Sequence, residues 1–184
     1  MLTTSLQQQA RQLKDRLPSY LYCLAFIYRR LLFRTTFIAV TGSSGKTTAK
    51  NCLASILSRQ ASTIATLGTR NTIRDDMLSR TILRVRPWHK YAVIEVGVGK
   101  VGAMEKSVRL VRPDVCLVLR VGANHIKEFK NLEGVAAEKS DIVRGLGPDK
   151  TVVLNGEDPL VLAMAAATRA KVYTFGGSAR FDVW

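Results

Sequence analysis

Cysteine is scarce in this chain of 184 residues, which contains only three. Cys23, Cys52 and Cys116 are odd in number, lie far apart and form no CxxC pair. The sequence therefore predicts neither a disulfide framework nor a thiolate zinc site. We expect buried, reduced thiols in a cytosolic protein. With 13 glycines and 5 prolines, the composition also excludes a collagen-like or wholly disordered chain.

Acidic residues are few: 14 Asp and Glu stand against 28 Lys and Arg, which gives a formal net charge of +14. The imbalance is concentrated in the first half, where 3 acidic and 15 basic residues precede Glu95. A field of this sign attracts nucleotides, nucleic acid and anionic lipid, so it indicates a class of partner. Nucleic acid is the least supported of these, because no basic motif is interleaved with aromatic residues.

No apolar run is long enough to cross a bilayer. The apolar stretch YLYCLAFIY at residues 20–28 is followed by two arginines, well short of the roughly 20 residues that a span requires. Residues 5–17 have helical spacing, and we expect Pro18 to interrupt the helix before a second stretch over residues 19–33. We assign residues 1–35 to an amphipathic helical segment that packs on the core or a partner, or lies on an anionic membrane.

From residue 36 onward, short β-branched runs alternate with helical stretches. The runs are FIAVTG, STIATLG, YAVIEVG, DVCLVLRVG, TVVLNG and KVYTFGG, and helical stretches include residues 46–59, 136–146 and 159–168. The alternation predicts an α/β fold with a mostly parallel sheet and helices on both faces. We assign residues 36–184 to this domain. Because no closing helix follows the last Gly-Gly turn, we expect a domain truncated at its C-terminus.

A glycine loop joins the first predicted strand of this domain to its first predicted helix. The loop reads TGSSGKTT, with Val40 where the standard phosphate-loop pattern requires glycine, so it is a shorter form. Its glycines let backbone N–H groups turn toward phosphate oxygens, Lys46 can reach terminal phosphates, and Thr47 offers a hydroxyl to Mg²⁺. The alternative is a tight turn capped by a serine. The predicted nucleotide-binding residues here are Thr41, Gly42, Ser43, Ser44, Gly45, Lys46, Thr47 and Thr48.

An acidic residue, Glu95, ends the apolar run YAVIE, and glycines follow it. In a parallel sheet, this is the edge at which ligands bind, and a carboxylate beside a nucleotide phosphate suits Mg²⁺. We favour a metal ligand over a solvated strand end. His125, one of only two histidines, follows a later strand and is expected on the same edge. Taken alone, such a histidine is more often a capping or surface residue than a metal ligand.

Two further polar residues stand in positions that the sequence leaves open. Lys139 lies in a predicted helix beside Glu138 and Asp141, where the plain interpretation is a solvated charged face. Asn155 ends the strand VVLN and could bind a base or cap the next helix, for which Asp158 before a proline serves equally well.

Five motifs occur in the order and approximate spacing of the Mur ligase central domain. They are TGSSGKTT, the glutamate of VIEVGVGKVG, the histidine of VGANHIKEF, the lysine of AAEKSDIV and the asparagine of VLNGEDP. From about residue 36 to its end, the chain therefore resembles this family, and most closely its UDP-N-acetylmuramoyl-tripeptide D-alanyl-D-alanine ligase branch. The resemblance implies a P-loop NTPase-like fold.

The resemblance also implies a reaction and roles for the residues. The family uses ATP to phosphorylate a substrate carboxylate, and an amino-acid or peptide amine then attacks the acyl phosphate. Lys46 would neutralise the transferring phosphoryl group, while Thr47 and Glu95 would hold one Mg²⁺. By resemblance, His125 would bind a second Mg²⁺, Lys139 would be carbamylated to serve that metal, and Asn155 would contact adenine.

The departures from the family pattern limit the expected activity. The family's uridine-nucleotide-binding domain has no counterpart in the first 35 residues, and LGTRNTIRDD keeps Asn71 but lacks the usual continuation. Arg70 and Arg74 there could meet an acidic substrate or be ordinary loop arginines. We expect a cytoplasmic, incomplete ligase of cell-wall peptidoglycan synthesis that needs a C-terminal domain in cis or in trans, with contact at the inner face of the membrane as a further option. The alternatives are a non-catalytic nucleotide-binding module docked to a membrane or cell-wall enzyme complex, and a P-loop NTPase acting on nucleic acid.

Overall fold

The computed structural model describes residues 2–67, 75–97, 99, 101–123 and 126–183, with the backbone alone for residues 2–16, 75 and 127. The strands are β1 (Thr36–Thr41), β2 (Thr63–Ala65), β3 (Tyr91–Glu95), β4 (Val115–Val118), β5 (Thr151–Asn155) and β6 (Lys171–Phe175). The helices are α1 (Leu2–Leu31), α2 (Lys46–Ser58), α3 (Asp75–Arg84), α4 (Ala103–Val111), α5 (Ile126–Phe129), α6 (Leu132–Arg144) and α7 (Pro159–Leu162), with a 3₁₀ helix at Ala163–Ala167.

The six strands form one sheet in the order β2-β3-β1-β4-β5-β6, and every pair is parallel. The predicted α/β fold with a parallel sheet is thereby confirmed. Strand β1 lies in the interior between β3 and β4, because the chain crosses over it after β3. A crossing of this kind opens a crevice at the carboxyl end of the central strand, where ligands of such folds bind.

Alternate residues of the strands pack on two layers of helices, as predicted. On one face, Ile38, Val40 and Val93 are buried against Leu53 and Leu57 of α2. On the other, the larger core joins strand residues to α1, α3, α4 and α6. Its fully buried members on the central strands include Phe37, Ala39, Ala92, Ile94, Cys116, Val118, Val152 and Leu154. Fully apolar strands of this kind are typical of a parallel sheet covered on both faces.

Helix α1 is continuous through Pro18, so the predicted interruption there is wrong. A proline costs a helix one backbone hydrogen bond, a penalty of about 3 kcal/mol, which tertiary packing can offset. The C-terminal half of α1 supplies that packing, because Ala25 and Arg29 are buried and the helix contacts α3 and α4. In the described part of the chain, no helix is both long and apolar enough to cross a membrane.

The expected burial of all three thiols holds only for Cys116, whose pKa is raised by burial in the sheet. Cys23 and Cys52 are exposed. Both face outward from amphipathic helices, α1 and α2. A residue's burial on a helix depends on which face it occupies, and one side of each helix remains open.

Candidate active site

The glycine loop connects β1 to α2 at the carboxyl edge of the sheet, as the sequence predicts. Gly42 has φ 153°, and a Cβ there would lie 3.0 Å from Leu119 Cβ and 3.2 Å from the Arg120 nitrogen. Gly45 has φ 78°, a left-handed conformation that disfavours side chains. Glycine is therefore required at both positions. Gly42 allows the loop to approach the residues that follow β4, and Gly45 turns the chain into α2.

The first turn of α2 is open. The helix begins after Gly45, and its first intrahelical hydrogen bond joins Ala49 N to Gly45 O at 2.9 Å. No side chain of the described residues caps this end. The preceding amides therefore have no intrahelical acceptor, and the helix dipole adds partial positive charge at the same place. A capped turn, the alternative weighed from the sequence, leaves no such opening, so the geometry favours an anion-binding loop.

Ser43 uses its polar groups to fasten the loop to the chain that follows β4. Its Oγ accepts from Gly122 N at 2.8 Å and donates to Gly122 O at 3.2 Å, and its N–H donates to Arg120 O at 2.6 Å. Thr41 is fully buried, and its Oγ1 has no hydrogen-bond partner among the described residues. These two residues frame the loop, whereas Ser44, Gly45 and Thr48 are exposed at its rim.

Thr47 and Glu95 meet at this edge. Thr47 Oγ1 lies 3.0 Å and 3.2 Å from the two carboxylate oxygens of Glu95. The register of the sheet explains the contact, because Glu95 pairs with Val40 on the neighbouring strand β1, just before the loop. The Glu95 side chain is only 10% exposed, so it is not a solvated strand end. A hydroxyl and a carboxylate this close are oxygen donors of the type that Mg²⁺ prefers.

Lys46 is half-buried and lies at the same loop. Its Nζ donates to Gly42 O at 2.9 Å. Burial lowers the pKa of Lys46, while the nearby charge of Glu95 acts in the opposite direction. The ammonium is thus held beside the open helix end without a carboxylate in direct contact among the described residues.

Lys50 is a site residue that the sequence analysis missed. It is 2% exposed, its Nζ donates to Thr66 O at 2.8 Å, and the same atom lies 3.8 Å from Glu95 Oε2. Thr66 in turn accepts a hydrogen bond from Glu95 N through its hydroxyl at 3.1 Å. Lys50 therefore holds Glu95 by an ion pair to Oε2, an oxygen that Thr47 also contacts. Its position four residues after Lys46, on the same face of the helix, was the available signal.

Lys139 and Glu138 of α6 are both buried, at 3% and 6% exposure, so a solvated charged face is wrong. Burial, followed by the charge of Lys46, lowers the pKa of Lys139 to about 8, against the opposing effect of Glu138. The two lysines therefore share one region of the site. Glu138 accepts hydrogen bonds from Gly102 N and Met104 N, both at 2.9 Å, and so caps α4.

Asn155 ends β5 at the same edge, two strands from β1. Its Oδ1 accepts from Glu157 N at 3.0 Å. The cap of α7 is Asp158, which accepts from Leu160 N and Val161 N and also from Val121 N at 2.8 Å. Of the two residues that the sequence offered as the cap of this helix, Asn155 and Asp158, the structure uses Asp158. With strands spaced about 4.8 Å apart, Asn155 stands about 10 Å from the end of β1.

The remaining predicted residues, His125, Arg70, Asn71 and Arg74, lie outside the described residues. Within the described ranges, no three His, Cys, Asp or Glu side chains form a cluster that could hold a metal ion. The donors that the structure brings together are instead one carboxylate and one hydroxyl beside open backbone amides. Such a set supplies only part of a Mg²⁺ coordination shell, and phosphate oxygens of a nucleotide together with water would supply the rest.

This chain combines a parallel α/β fold with a glycine loop, a lysine in that loop and an acid on the adjacent strand. Together these features define a class of phosphate-binding domain. A sequence model of the Mur ligase middle domain matches residues 40–184. The chain belongs to this family.

The similar proteins point to one branch. The UDP-N-acetylmuramoyl-tripeptide–D-alanyl-D-alanine ligase of Escherichia coli K12 is 39% identical over 121 residues, which are 66% of this chain and 26% of that protein. MurF from Acinetobacter baumannii superposes with a TM-score of 0.80 at 34% identity, covering 86% of this chain and 35% of that one. MurF from Thermotoga maritima in complex with ADP gives 0.77 at 28% identity, covering 86% and 36%. The chain thus spans about a quarter to a third of its relatives' length.

Proposed function

We propose that this chain is the ATP-binding domain of an amide ligase of the Mur ligase type. In the proposed reaction, a substrate carboxylate attacks the terminal phosphorus of ATP, and ADP leaves. An amine then attacks the acyl phosphate, forms the amide and releases phosphate. The observation that carries the proposal is the contact of Thr47 with Glu95, at 3.0 and 3.2 Å, beside the open end of α2. The Thermotoga maritima relative is in complex with ADP, which supports a nucleotide as the ligand of this domain.

In this proposal, the loop from Thr41 to Thr48 holds the phosphates, chiefly through the uncapped amides of α2. Lys46 neutralises charge on the transferring phosphoryl group. Thr47 and Glu95 would hold Mg²⁺, and the donor set fits because both supply oxygen. When bound, Mg²⁺ neutralises charge between the β- and γ-phosphates. Lys50 keeps the Glu95 carboxylate in place for this role, through the ion pair described above.

Lys139 is proposed as a carbamylated lysine that serves a second Mg²⁺ together with His125. Carbamylation forms a bond between the neutral amine and CO₂ and releases a proton. The burial that lowers the pKa of Lys139 to about 8 raises the fraction of neutral amine at pH 7. Carbamylation would also replace the repulsion between Lys139 and Lys46 with attraction, because the carbamate is an anion.

Asn155 is proposed to contact adenine. It lies on the same sheet edge as the loop, and a separation of about 10 Å along that edge is comparable to the distance from a nucleotide's phosphates to its base. The Oδ1 atom is occupied by Glu157 N. The base would therefore meet the side-chain amide from its NH₂ group.

The substrates and partners are proposed from the relatives. The relatives are ligases of UDP-N-acetylmuramoyl-tripeptide and D-alanyl-D-alanine by name, and we propose a carboxylate acceptor and an amine of this class, in cytoplasmic peptidoglycan synthesis. The relatives are three to four times longer than the matched region. We therefore propose that turnover needs a further domain, in cis or in trans, beyond the N-terminal segment 1–35 and the domain 36–184.

The first test measures Mg²⁺-dependent ATP binding by calorimetry. Lys46→Ala should abolish binding, and Lys171→Ala, which removes an exposed lysine from the opposite edge of the sheet, should leave it unchanged. Equal affinities of the wild type and Lys46→Ala would overturn the role of the loop. A second test concerns turnover: the 184-residue chain should form no amide alone, so release of phosphate on adding a candidate amino acid would contradict the need for a further domain.

A non-catalytic nucleotide-binding module that docks to a membrane is the second candidate. It is favoured by the exposed apolar face of α1, where Tyr20, Leu24, Ile27 and Leu31 are each more than half exposed. Nucleotide binding without phosphate release, even when the missing domain and both substrates are supplied, would distinguish this candidate from the ligase.

A further inference from the structure

The exposed face of α1 carries a continuous ridge of apolar side chains. Successive members are three and four residues apart, which places them on one side of a helix. The ridge consists of Leu17 (44% exposed), Tyr20 (62%), Leu24 (56%), Ile27 (62%) and Leu31 (65%). At 1.5 Å per residue, it is about 20 Å long. An apolar strip of this length on a folded domain indicates an interaction surface.

The opposite face of α1 is fixed to the protein. Ala25 and Leu32 are buried in the core, and Arg29, at 6% exposure, donates to Val111 O and Arg112 O, both at 2.6 Å. Arg29 also stacks over the ring of Phe37, with 3.6 Å from its Cζ to the ring centroid. The helix therefore cannot turn its ridge inward without breaking these contacts, and the ridge is a fixed outer surface.

The apolar surface continues from α1 onto the amino edge of the sheet. Phe33 is 80% exposed and Trp88 is 70% exposed. Although they are 55 positions apart in the sequence, both line one cleft of about 470 Å³, together with Arg34 and Lys90. Phe33 follows the end of the ridge by two residues. We call the ridge together with Phe33 and Trp88 the apolar face.

The clefts beside the apolar face are lined mainly by basic residues. Five of these residues are exposed, namely Arg30, Arg34, Lys90, Arg109 and Arg112. Among the described residues, Asp114 is the sole acid that lines the two clefts at this edge. It is already engaged, because it lies 2.8 Å from Lys150 Nζ and 3.7 Å from the Arg29 guanidinium. A partner of this face must therefore be both apolar and anionic.

We propose that the apolar face docks on an anionic lipid bilayer. Its leucines and isoleucine would enter the boundary between headgroups and acyl chains, and the flanking arginines would meet lipid phosphates. Tyr20, Phe33 and Trp88 are of the aromatic type that favours this boundary. Phe33 and Trp88 lie at the amino ends of the strands, about 20 Å, one strand length, from the phosphate loop. Docking therefore leaves the nucleotide site open to solvent.

A second copy of α1 is the competing occupant, because spacing of three and four also suits a coiled coil. Two observations favour the bilayer. The apolar face extends beyond the helix to Phe33 and Trp88, which a partner helix lying along α1 would not cover. The two clefts at this edge also offer a second basic helix no acid other than the engaged Asp114, so two copies would bring like charges together there.

The experiment is flotation of the full chain with phosphatidylglycerol-containing vesicles and with phosphatidylcholine vesicles. We expect binding to the anionic vesicles, weakened by salt, and a blue shift of Trp88 emission in a Trp184→Phe background, where Trp88 is the only tryptophan. Leu24→Ser combined with Ile27→Ser should weaken binding by about 100-fold, at about tenfold per side chain. Leu162→Ser, at a 41% exposed leucine elsewhere, is the matched control and should have no effect.

The charge arm uses Arg30→Gln with Arg34→Gln, which should reduce binding and flatten its salt dependence. Retained Mg²⁺-ATP binding in each variant shows that the fold is intact, and it separates failure of docking from failure of the ligase proposal. Equal binding to both kinds of vesicle, or full binding by the Leu24/Ile27 variant, would overturn the inference. A second contradicting result would come from sedimentation. It would be a wild-type chain that is dimeric and does not bind vesicles, with Ile27→Ser converting the dimer to a monomer.

Discussion

The two edges of the sheet both contain buried charge, but they balance it differently. At the amino edge, Asp114 accepts from Phe37 N at 2.9 Å and lies against Arg29 and Lys150. At the carboxyl edge, Lys46 and Lys50 lie near the carboxylate of Glu95, and Lys139 lies near Lys46, while Glu138 is occupied in capping α4. The first cluster is satisfied within the protein and joins α1 to the sheet. The second has an excess of cations, which suits a polyphosphate.

The largest expected effect tests the amino edge. Arg29→Met should lower the free energy of unfolding by about 3 kcal/mol, because it leaves the carbonyls of Val111 and Arg112 without their donor and removes the ion pair with Asp114. Chemical denaturation measures the loss. The neighbouring Arg30→Met, at an exposed arginine, should change stability by less than about 0.5 kcal/mol. A similar loss of stability in both variants would contradict the stabilising role of the buried Arg29 contacts.

The carboxyl edge should respond in binding instead of stability. Glu95→Gln keeps the shape of the side chain but removes its charge, so the gain in ATP affinity conferred by Mg²⁺ should fall by about 100-fold. Calorimetry with and without Mg²⁺ measures this gain. Glu105→Gln on the exposed face of α4 is the control. If both variants keep the full Mg²⁺ effect, Glu95 does not hold the metal.

Lys139 should make stability at the carboxyl edge depend on pH. Its pKa is about 8 in the folded protein and 10.5 in the unfolded chain, so the unfolded chain binds more protons between these values. The free energy of unfolding should therefore rise by about 2 kcal/mol from pH 8 to pH 10. Urea denaturation in CO₂-free buffer should show this rise in the wild type and not in Lys139→Met. Parallel curves for the two proteins would refute the shift.

The smallest effect concerns Lys50. Lys50→Met removes the ion pair with Glu95 and the hydrogen bond to Thr66 O, so Mg²⁺-dependent ATP affinity should fall by about tenfold. Lys50→Arg should restore part of it, because a cation returns to Glu95. Lys171→Met is the control for loss of a lysine. A loss of stability with unchanged Mg²⁺ dependence would assign Lys50 to packing alone.

The sequence predicted the elements that depend on neighbouring residues. The helix expected over residues 46–59 is observed as Lys46–Ser58, and the strand runs correspond to β1 through β6. Asp158 before Pro159, one of the two residues that the sequence offered as the cap of α7, forms that cap. These features follow from backbone preferences and side-chain alternation over a few residues, which the sequence displays directly.

Features that depend on distant residues were harder to predict. Pro18 is a local signal for a helix break, but packing of the rest of α1 on α3 and α4 overrides it. Lys50 and Glu138 resemble ordinary helical charges, and only the fold shows that they contact Glu95 and the start of α4. Cys23 and Cys52 have apolar neighbours in sequence, yet they lie on open helix faces.

The amino acids alone determined the glycine loop, because Gly42, Gly45, Lys46 and Thr47 lie within six residues and their conformation is set by glycine's freedom and by the start of a helix. The tertiary structure decided which acid faces that loop. Glu95 is 48 residues from Thr47, and it arrives there because β3 is placed beside β1 in the sheet. Strand order depends on the packing of all the helices at once, so no local stretch of sequence contains it.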